Sequence, residues 1–389
     1  MSNNTRHTFL IALCFSTMAL FGILENIKGA VIPPIRAEFN VPYSSIGLLL
    51  FISSGGYLLA VFFGGLVAER VGKKSVLATG YCIIILAIIL LDIKSFPLLV
   101  LLFFLINIGF GCFEISLNSL GAQIFLPNPA VMMSFLHLFY GIGSTIGPRY
   151  AGALLFQGWP WRYTFYLVLL PLFLLVVMII FARFPKLEGI YLSRRLPLGE
   201  VFSDKKIWLF VGVLGFCMVF EIGIGNWLIN FLQVVRGMNE NSSSAYMSIF
   251  FLVFTAGRLL GGFFAEKLGY VQLIFLAVLA SALLFSGGLF LEDASILFSL
   301  TGFFISFLFP TVISITIRTF PQGSSSVMAL IITAAGAINM LGNWIIGRIN
   351  DFFGVFAGFS AVLIAPLMVL LFLVFLHKKL SSASGASAA

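Results

Sequence analysis

Six ionisable residues stand in stretches that are otherwise oil: the acids Glu25, Glu114 and Glu221, and the bases Lys28, Arg149 and Arg258. A charge inside a bilayer costs roughly 2.5 to 3.5 kcal/mol on insertion scales, so each is a functional candidate; neutral pairing of acids with bases is the plain alternative. Counting ~1.5 Å of rise per residue along the apolar runs puts Glu221 near the midplane and Glu114 slightly to its cytoplasmic side. Glu25, Lys28 and Arg149 fall in the outer half. Glu25 and Lys28 are three apart and share a helix face, and Arg149 at the same depth completes an expected charge network. Arg258 falls near the cytoplasmic end, four residues before Gly262, where an arginine can snorkel or brace a gate. No base is then expected beside Glu114 and Glu221. A carboxyl without a counter-charge in a low-dielectric site can take up and release a proton, as a carrier driven by a proton gradient requires. The expected ion-coupling set is Glu25, Glu114 and Glu221.

The neighbours of these acids suggest what they hold. Asn118 lies one turn from Glu114, and Asn226 and Trp227 follow Glu221 closely. His137 and Tyr140 share one helix face. Carboxyls, amides and an aromatic platform together make a site for a hydroxyl-rich solute. The expected substrate-binding residues are Glu114, Asn118, His137, Tyr140, Glu221, Asn226 and Trp227. The bland alternatives are a structural hydrogen bond for either acid, a helix-to-helix link for His137, and inter-helix glue for Asn107, Asn339 and Asn343.

Such residues must be positioned by membrane helices. Of the 389 residues, 60% are hydrophobic and 9% charged, whereas a soluble domain carries about 25% charged residues. Twelve apolar runs are each long enough to span, with centres near residues 20, 56, 84, 111, 143, 174, 220, 254, 281, 307, 336 and 366. Their continuous apolarity excludes the alternation of a barrel, so the expected fold is all-α. The net charge of +8 is a matter of topology rather than of nucleic-acid binding. With both termini cytoplasmic, fourteen Lys and Arg fall in inner segments and five in outer ones. The expected location is an inner or plasma membrane, crossed many times. Cys14, Cys82, Cys112 and Cys217 all lie inside spans without paired spacing, so neither a metal site nor a disulfide frame is expected. The first apolar run is too long and too uncleavable for a signal peptide.

The chain also repeats itself. Gly65-Leu66-Val67-Ala68-Glu69-Arg70-Val71-Gly72 is echoed by Gly262-Phe263-Phe264-Ala265-Glu266-Lys267-Leu268-Gly269, an offset of 197. Both copies sit where an apolar run ends, as charged turns between spans. Two copies of one helical unit make the architecture of a carrier that rocks around a central site. The expected division is an N-terminal six-helix bundle over 1–184, a cytoplasmic linker over 185–206, a C-terminal bundle over 207–380, and a disordered tail or cloning remnant over 381–389. The expected gating residues are Gly65, Glu69, Arg70, Gly72, Arg258, Gly262, Glu266, Lys267 and Gly269. The turns would latch the cytoplasmic ends in the outward-open state.

The paired Gly-x-x-x-Glu-(Arg/Lys)-x-Gly turns resemble the signature of the major facilitator superfamily, a likeness that covers residues 8 to 377. Four segments resemble its fucose/galactose/glucose permease branch: Gly109-x-Gly111-x-x-Glu114-x-x-x-Asn118, Leu136-His137-x-x-Tyr140-Gly141-x-Gly143-x-x-x-Gly147-Pro148, Glu221-x-x-x-Gly225-Asn226-Trp227, and Phe309-Pro310-Thr311-x-x-Ser314. The resemblance implies a sugar-sized polar substrate. Where the branch's proton-coupled carriers have an Asn-Asp pair near the outer end of the first helix, Lys28 and Gly29 stand here. Glu25, one turn earlier on the same face, is the candidate substitute for that acid.

The expected activity is therefore ion-coupled uptake, by proton or sodium, of a sugar or sugar-like solute through alternating access. The rival is a proton-coupled exporter of amphipathic drugs or metabolites, which the Gly143-x-x-x-Gly147-Pro148-x-x-Ala151-Gly152 pattern and forty-five phenylalanines would suit. Lys28 leaves room for an anionic solute such as a sugar acid. No enzyme chemistry, cofactor or metal is expected. The expected partners are a small-molecule substrate, a proton or sodium ion and membrane lipid, with no nucleic acid, and the chain is expected to act as a monomer.

Overall fold

The computed structural model describes residues 3–125, 128–185, 202–321 and 324–386. Its helices in the first half are α1 (Asn3–Asn26), α2 (Lys28–Phe39), α3 (Tyr43–Val71), α4 (Lys73–Ile89), α5 (Phe96–Ile124), α6 (Pro129–Phe156), α7 (Tyr163–Tyr166) and α8 (Leu169–Phe181). In the second half follow α9 (Lys205–Val234), α10 (Glu240–Leu268), α11 (Tyr270–Phe290), α12 (Ile296–Ile305), α13 (Leu308–Thr319), α14 (Ser324–Ser360) and α15 (Ile364–Ala386). Among the described residues, nine apolar stretches are long enough to cross a bilayer, and the last, Val327–Lys379, is 53 residues long. Gly354, at φ 83° within α14, breaks that stretch into two crossings. α4, at 17 residues, and α6, at 28, complete twelve spans. A helix satisfies its own backbone groups, which lipid cannot do, and this dictates the all-α fold.

Three spans are broken between separate α-helices, and the twelfth is interrupted by a 3-10 turn over Ala361–Leu363. The first bends at Ile27 between α1 and α2, the sixth between α7 and α8, and the tenth at Ser306 and Phe307 between α12 and α13. The break at Ile27 falls between Glu25 and Lys28, and Ile27 keeps its backbone bonds, donating to Ile23 O at 3.2 Å and accepting from Ala30 N at 3.0 Å.

The repeat read from the sequence is a repeat of backbone. α3 and α10 are each 29 residues long, and Tyr43 against Glu240, like Val71 against Leu268, keeps the 197-residue offset. Each ends on a glycine in nearly the same left-handed conformation, Gly72 at φ 86°, ψ 149° and Gly269 at φ 85°, ψ 145°. Only glycine adopts that geometry without strain, which is why the motif carries it twice.

Packing repeats as well. α1 lies on α6 as α9 lies on α14, and α3 and α4 lie on α5 as α10 and α11 lie on α12. The two bundles meet along a two-stranded seam, α6 against α10 and α3 against α14. Small residues let backbones touch there. A side chain on Gly47 would meet the Trp344 backbone at 3.0 Å, one on Gly347 the Tyr43 carbonyl at 2.6 Å, and one on Gly29 the Gly225 carbonyl at 2.7 Å. A side chain on Gly152 would strike Ser244.

All these contacts lie toward one end of the molecule, the end where α3 and α10 begin. At the other end, a side chain on Gly65 or Gly262 would meet nothing within 4 Å, and Glu69, Arg70, Glu266 and Lys267 are exposed. The bundles are thus zipped at the Tyr43 end and parted at the Gly72 end. The expected latch between the two charged turns is not made in this conformation. Instead each turn braces its own bundle: Lys73 donates to Ser119 O at 2.8 Å, Lys74 to Ala182 O at 2.8 Å, and Arg318 reaches Glu266 at 3.4 Å.

Most of the linker expected over 185–206 lies outside the described residues, as do 387–389. α15 runs to Ala386, past the point where the sequence suggests a disordered tail.

Candidate substrate and proton site

The first bundle supplies two hydrogen-bonded acids. On α1, Glu25 accepts a hydrogen bond from the Tyr140 hydroxyl of α6 at 2.7 Å, while Lys28 Nζ stands 3.8 Å from its other oxygen. The side chains of Glu25 and Lys28 keep 27% and 16% of their exposure, so the pair is only partly withdrawn from solvent. On α5, Asn118 Nδ2 donates to Glu114 Oε1 at 2.7 Å across one helical turn, which leaves Asn118 Oδ1 buried without a partner.

The second bundle supplies Glu221 on α9 and Arg258 on α10, both half-buried. Neither Glu114 nor Glu221 has a salt bridge within 4.0 Å among the described residues. Each lies within Coulombic range of Arg258 and Glu25, one of these from its own bundle and one from the other, and His137 on α6 lies within range of Arg258 as well. The guanidinium rests over the Phe254 ring at 4.8 Å, with its Nε buried and without a partner. Tyr57 on α3 lies within Coulombic reach of both Glu114 and Glu25. Three carboxyls and one arginine, drawn from both bundles, therefore lie within electrostatic range of one another, and of the three acids Glu25 alone has a salt bridge among the described residues.

Four expectations need correction. Arg149 is not part of the Glu25–Lys28 pair: it is exposed and donates to Asn241 O at 2.7 Å, across the seam at the zipped end. Arg258 lies within Coulombic range of Glu114, Glu221 and His137, so the two acids are not without a nearby base; depth counted along a helix does not tell which side a residue turns to its neighbours. Asn226 is buried and donates to Asn343 Oδ1 at 2.9 Å, while Asn343 donates to Asn339 Oδ1 at 2.9 Å, so this ladder ties α9 to α14. Trp227 is 1% exposed and packs on Tyr43 at 6.2 Å between ring centroids, away from the parted end. The aromatic platform beside Glu221 is thus absent in this conformation. Tyr57, which the sequence does not single out, directly follows Gly55-Gly56, and a tyrosine in an apolar run gives no signal of the face it occupies.

Two like bundles of membrane spans, joined at one end and carrying ionisable groups within the spans, give the molecule the design of a secondary transporter. Residues 13–300 match the model of the Major Facilitator Superfamily, and the chain belongs to that family. It is 26% identical over 297 residues to the cis,cis-muconate transport protein of Acinetobacter baylyi, covering 69% of this chain and 70% of that one. It is 24% identical over 366 residues to protein TsgA of Shigella flexneri, covering 90% of each. Among solved structures, a bacterial homologue of the human lysosomal transporter Spinster, inward-facing and occupied, superposes with a TM-score of 0.81 at 14% identity, covering 95% of this chain and 97% of that one. A D-xylose-proton symporter superposes with a TM-score of 0.77 at 15% identity, covering 95% and 97%. These likenesses show the fold, and the relatives are transporters rather than enzymes.

Proposed function

We propose that this transporter takes up a small polar solute, sugar or sugar-like, driven by protons that Glu114 and Glu221 carry. The observation behind this reading is that both acids lie within electrostatic range of charged groups in the opposite bundle, with Arg258 as the cation in range and, among the described residues, no salt bridge to hold either. An acid that is neither clamped nor sealed can exchange a proton with whichever side the passage opens to. Glu25, held by Tyr140 and Lys28, is the positioning acid of the first bundle, and Glu114, Asn118, His137 and Tyr140 are the polar groups that face the solute. The two units, 1–184 and 207–380, move as bodies about this site. The excess of Lys and Arg in the segments at the parted end supports a cytoplasmic side there, in an inner or plasma membrane, with both termini inside. The four motif segments shared with the fucose/galactose/glucose permease branch support the same substrate class.

A second reading, a solute bearing a carboxylate, has its own observation. Arg258 keeps a buried Nε without a partner in a polar space, and a relative is named for transport of muconate. The drug-export reading has less to stand on, because Gly143 and Gly147 are taken up by backbone contact with Ala19 and Ile23 of α1.

The test is uptake in reconstituted vesicles with sugars, sugar acids and dicarboxylates. Acidifying the outside against a fixed interior should raise uptake, and a protonophore should abolish accumulation. Sodium-dependent accumulation that ignores the pH gradient would overturn the proton assignment, and retention by sugar acids alone would select the second reading.

A further inference from the structure

The two bundles begin their seam helices at equivalent positions, yet the helix starts are satisfied differently. α10 caps itself: Asn239 Oδ1 accepts from Ser242 N at 2.8 Å. α3 cannot, because Pro42 precedes it and has no side-chain acceptor. Its first free donors go instead to the opposite bundle, Tyr43 N to Asp351 Oδ1 at 2.6 Å and Ser44 N to Asp351 Oδ2 at 2.8 Å. One carboxylate thus takes two backbone N–H groups at a helix start, where the positive end of the helix dipole also favours it. A second strap crosses the other arm of the seam at the same end, from Arg149 of the first bundle to the Asn241 carbonyl of the second. Asp351 sits among the close backbone contacts of Gly47, Gly347 and Tyr43, so it can reach α3 only while the bundles are zipped.

We propose that Asp351 is a gating residue: by capping α3 from the other bundle it holds this end of the transporter shut, with Arg149 as its counterpart across the seam. The cap exists in one state of the transport cycle and is lost to water in the other. The inference rests on alternating access but not on the identity of the solute or of the driving ion. Because the carboxylate is exposed, removing it should change the ratio of the two states by about tenfold, the worth of an ordinary helix cap.

The experiment measures spin-label distances in lipid with the four native cysteines replaced. Labels at Ala37 and Asp293 report the zipped end, and labels at Val71 and Leu268 the parted end. Asp351→Ala should widen the first separation and narrow the second, Asp351→Asn should do so less, and Arg149→Gln should act in the same direction. Asn239→Ala removes a cap of the same kind that does not cross the seam, so it should lower thermal stability and leave both distances alone. If Asp351→Ala folds poorly, Pro42→Ser gives α3 its own cap; the double variant should regain stability while the zipped end stays open. Unchanged distances in Asp351→Ala, equal shifts in Asn239→Ala, or a double variant that recloses would each overturn the proposal. Loss of transport with unchanged distances would count against the gate and leave the solute assignment standing.

Discussion

The two halves of this transporter share a backbone and divide the chemistry unevenly. Their seam helices match in length and offset, and their turns match in dihedral angle at Gly72 and Gly269. The first half nevertheless carries the hydrogen-bonded acids Glu25 and Glu114 with their partners Lys28, Tyr140 and Asn118, while the second carries Glu221 and Arg258. The second half spends its amides on structure, in the Asn226–Asn343–Asn339 ladder. The two halves thus keep one scaffold and differ in the polar groups they carry on it.

Substitutions can break or sharpen that contrast. The largest effect is expected at Glu114→Gln, which should cut gradient-driven accumulation in vesicles by more than about tenfold while exchange of labelled for unlabelled solute continues; uphill uptake at the original level would remove Glu114 from the coupling. Next, Asn343→Ala should destabilise the protein by about 1 to 3 kcal/mol, because Asn226 loses its buried acceptor. Thermal unfolding in detergent reads that loss, and an unchanged KM would confirm a bracing role. Gly72→Ala and Gly269→Ala should each cost roughly 1 to 2 kcal/mol from left-handed backbone strain. The second should cost slightly more, since its new methyl would meet Gln272 Oε1 at 3.3 Å. Near-equal losses would show that the repeat is one of conformation as well as sequence. The smallest effect is expected at Trp227→Phe, which should leave KM within about twofold because the ring packs on Tyr43 rather than lining the space between the bundles.

What could be read without coordinates follows from what periodicity encodes. Spans, repeat and turns were legible because bilayer thickness and the glycine conformation impose them residue by residue. The intramembrane ionisable residues were legible as a set because their cost makes them conspicuous. Their partners were not. Arg149 and Arg258 look alike as single bases in apolar runs, and only packing turns one toward the end of the seam and the other toward the acids. Asp351 gives no signal at all, since an aspartate at the end of a span reads as an ordinary water-facing residue. The acceptor it supplies is missing on a helix more than three hundred residues earlier, at Pro42.

Lys73 and Lys74 carry a double burden. They belong to the basic excess by which the chain would choose its orientation during insertion, and they also tie down carbonyls at Ser119, Ile180 and Ala182 in the finished bundle. Biogenesis and tertiary structure therefore draw on the same two ammonium groups. A charge moved a few positions along this turn would preserve the sorting signal and lose the fastening, so drift that is neutral for topology is not neutral here.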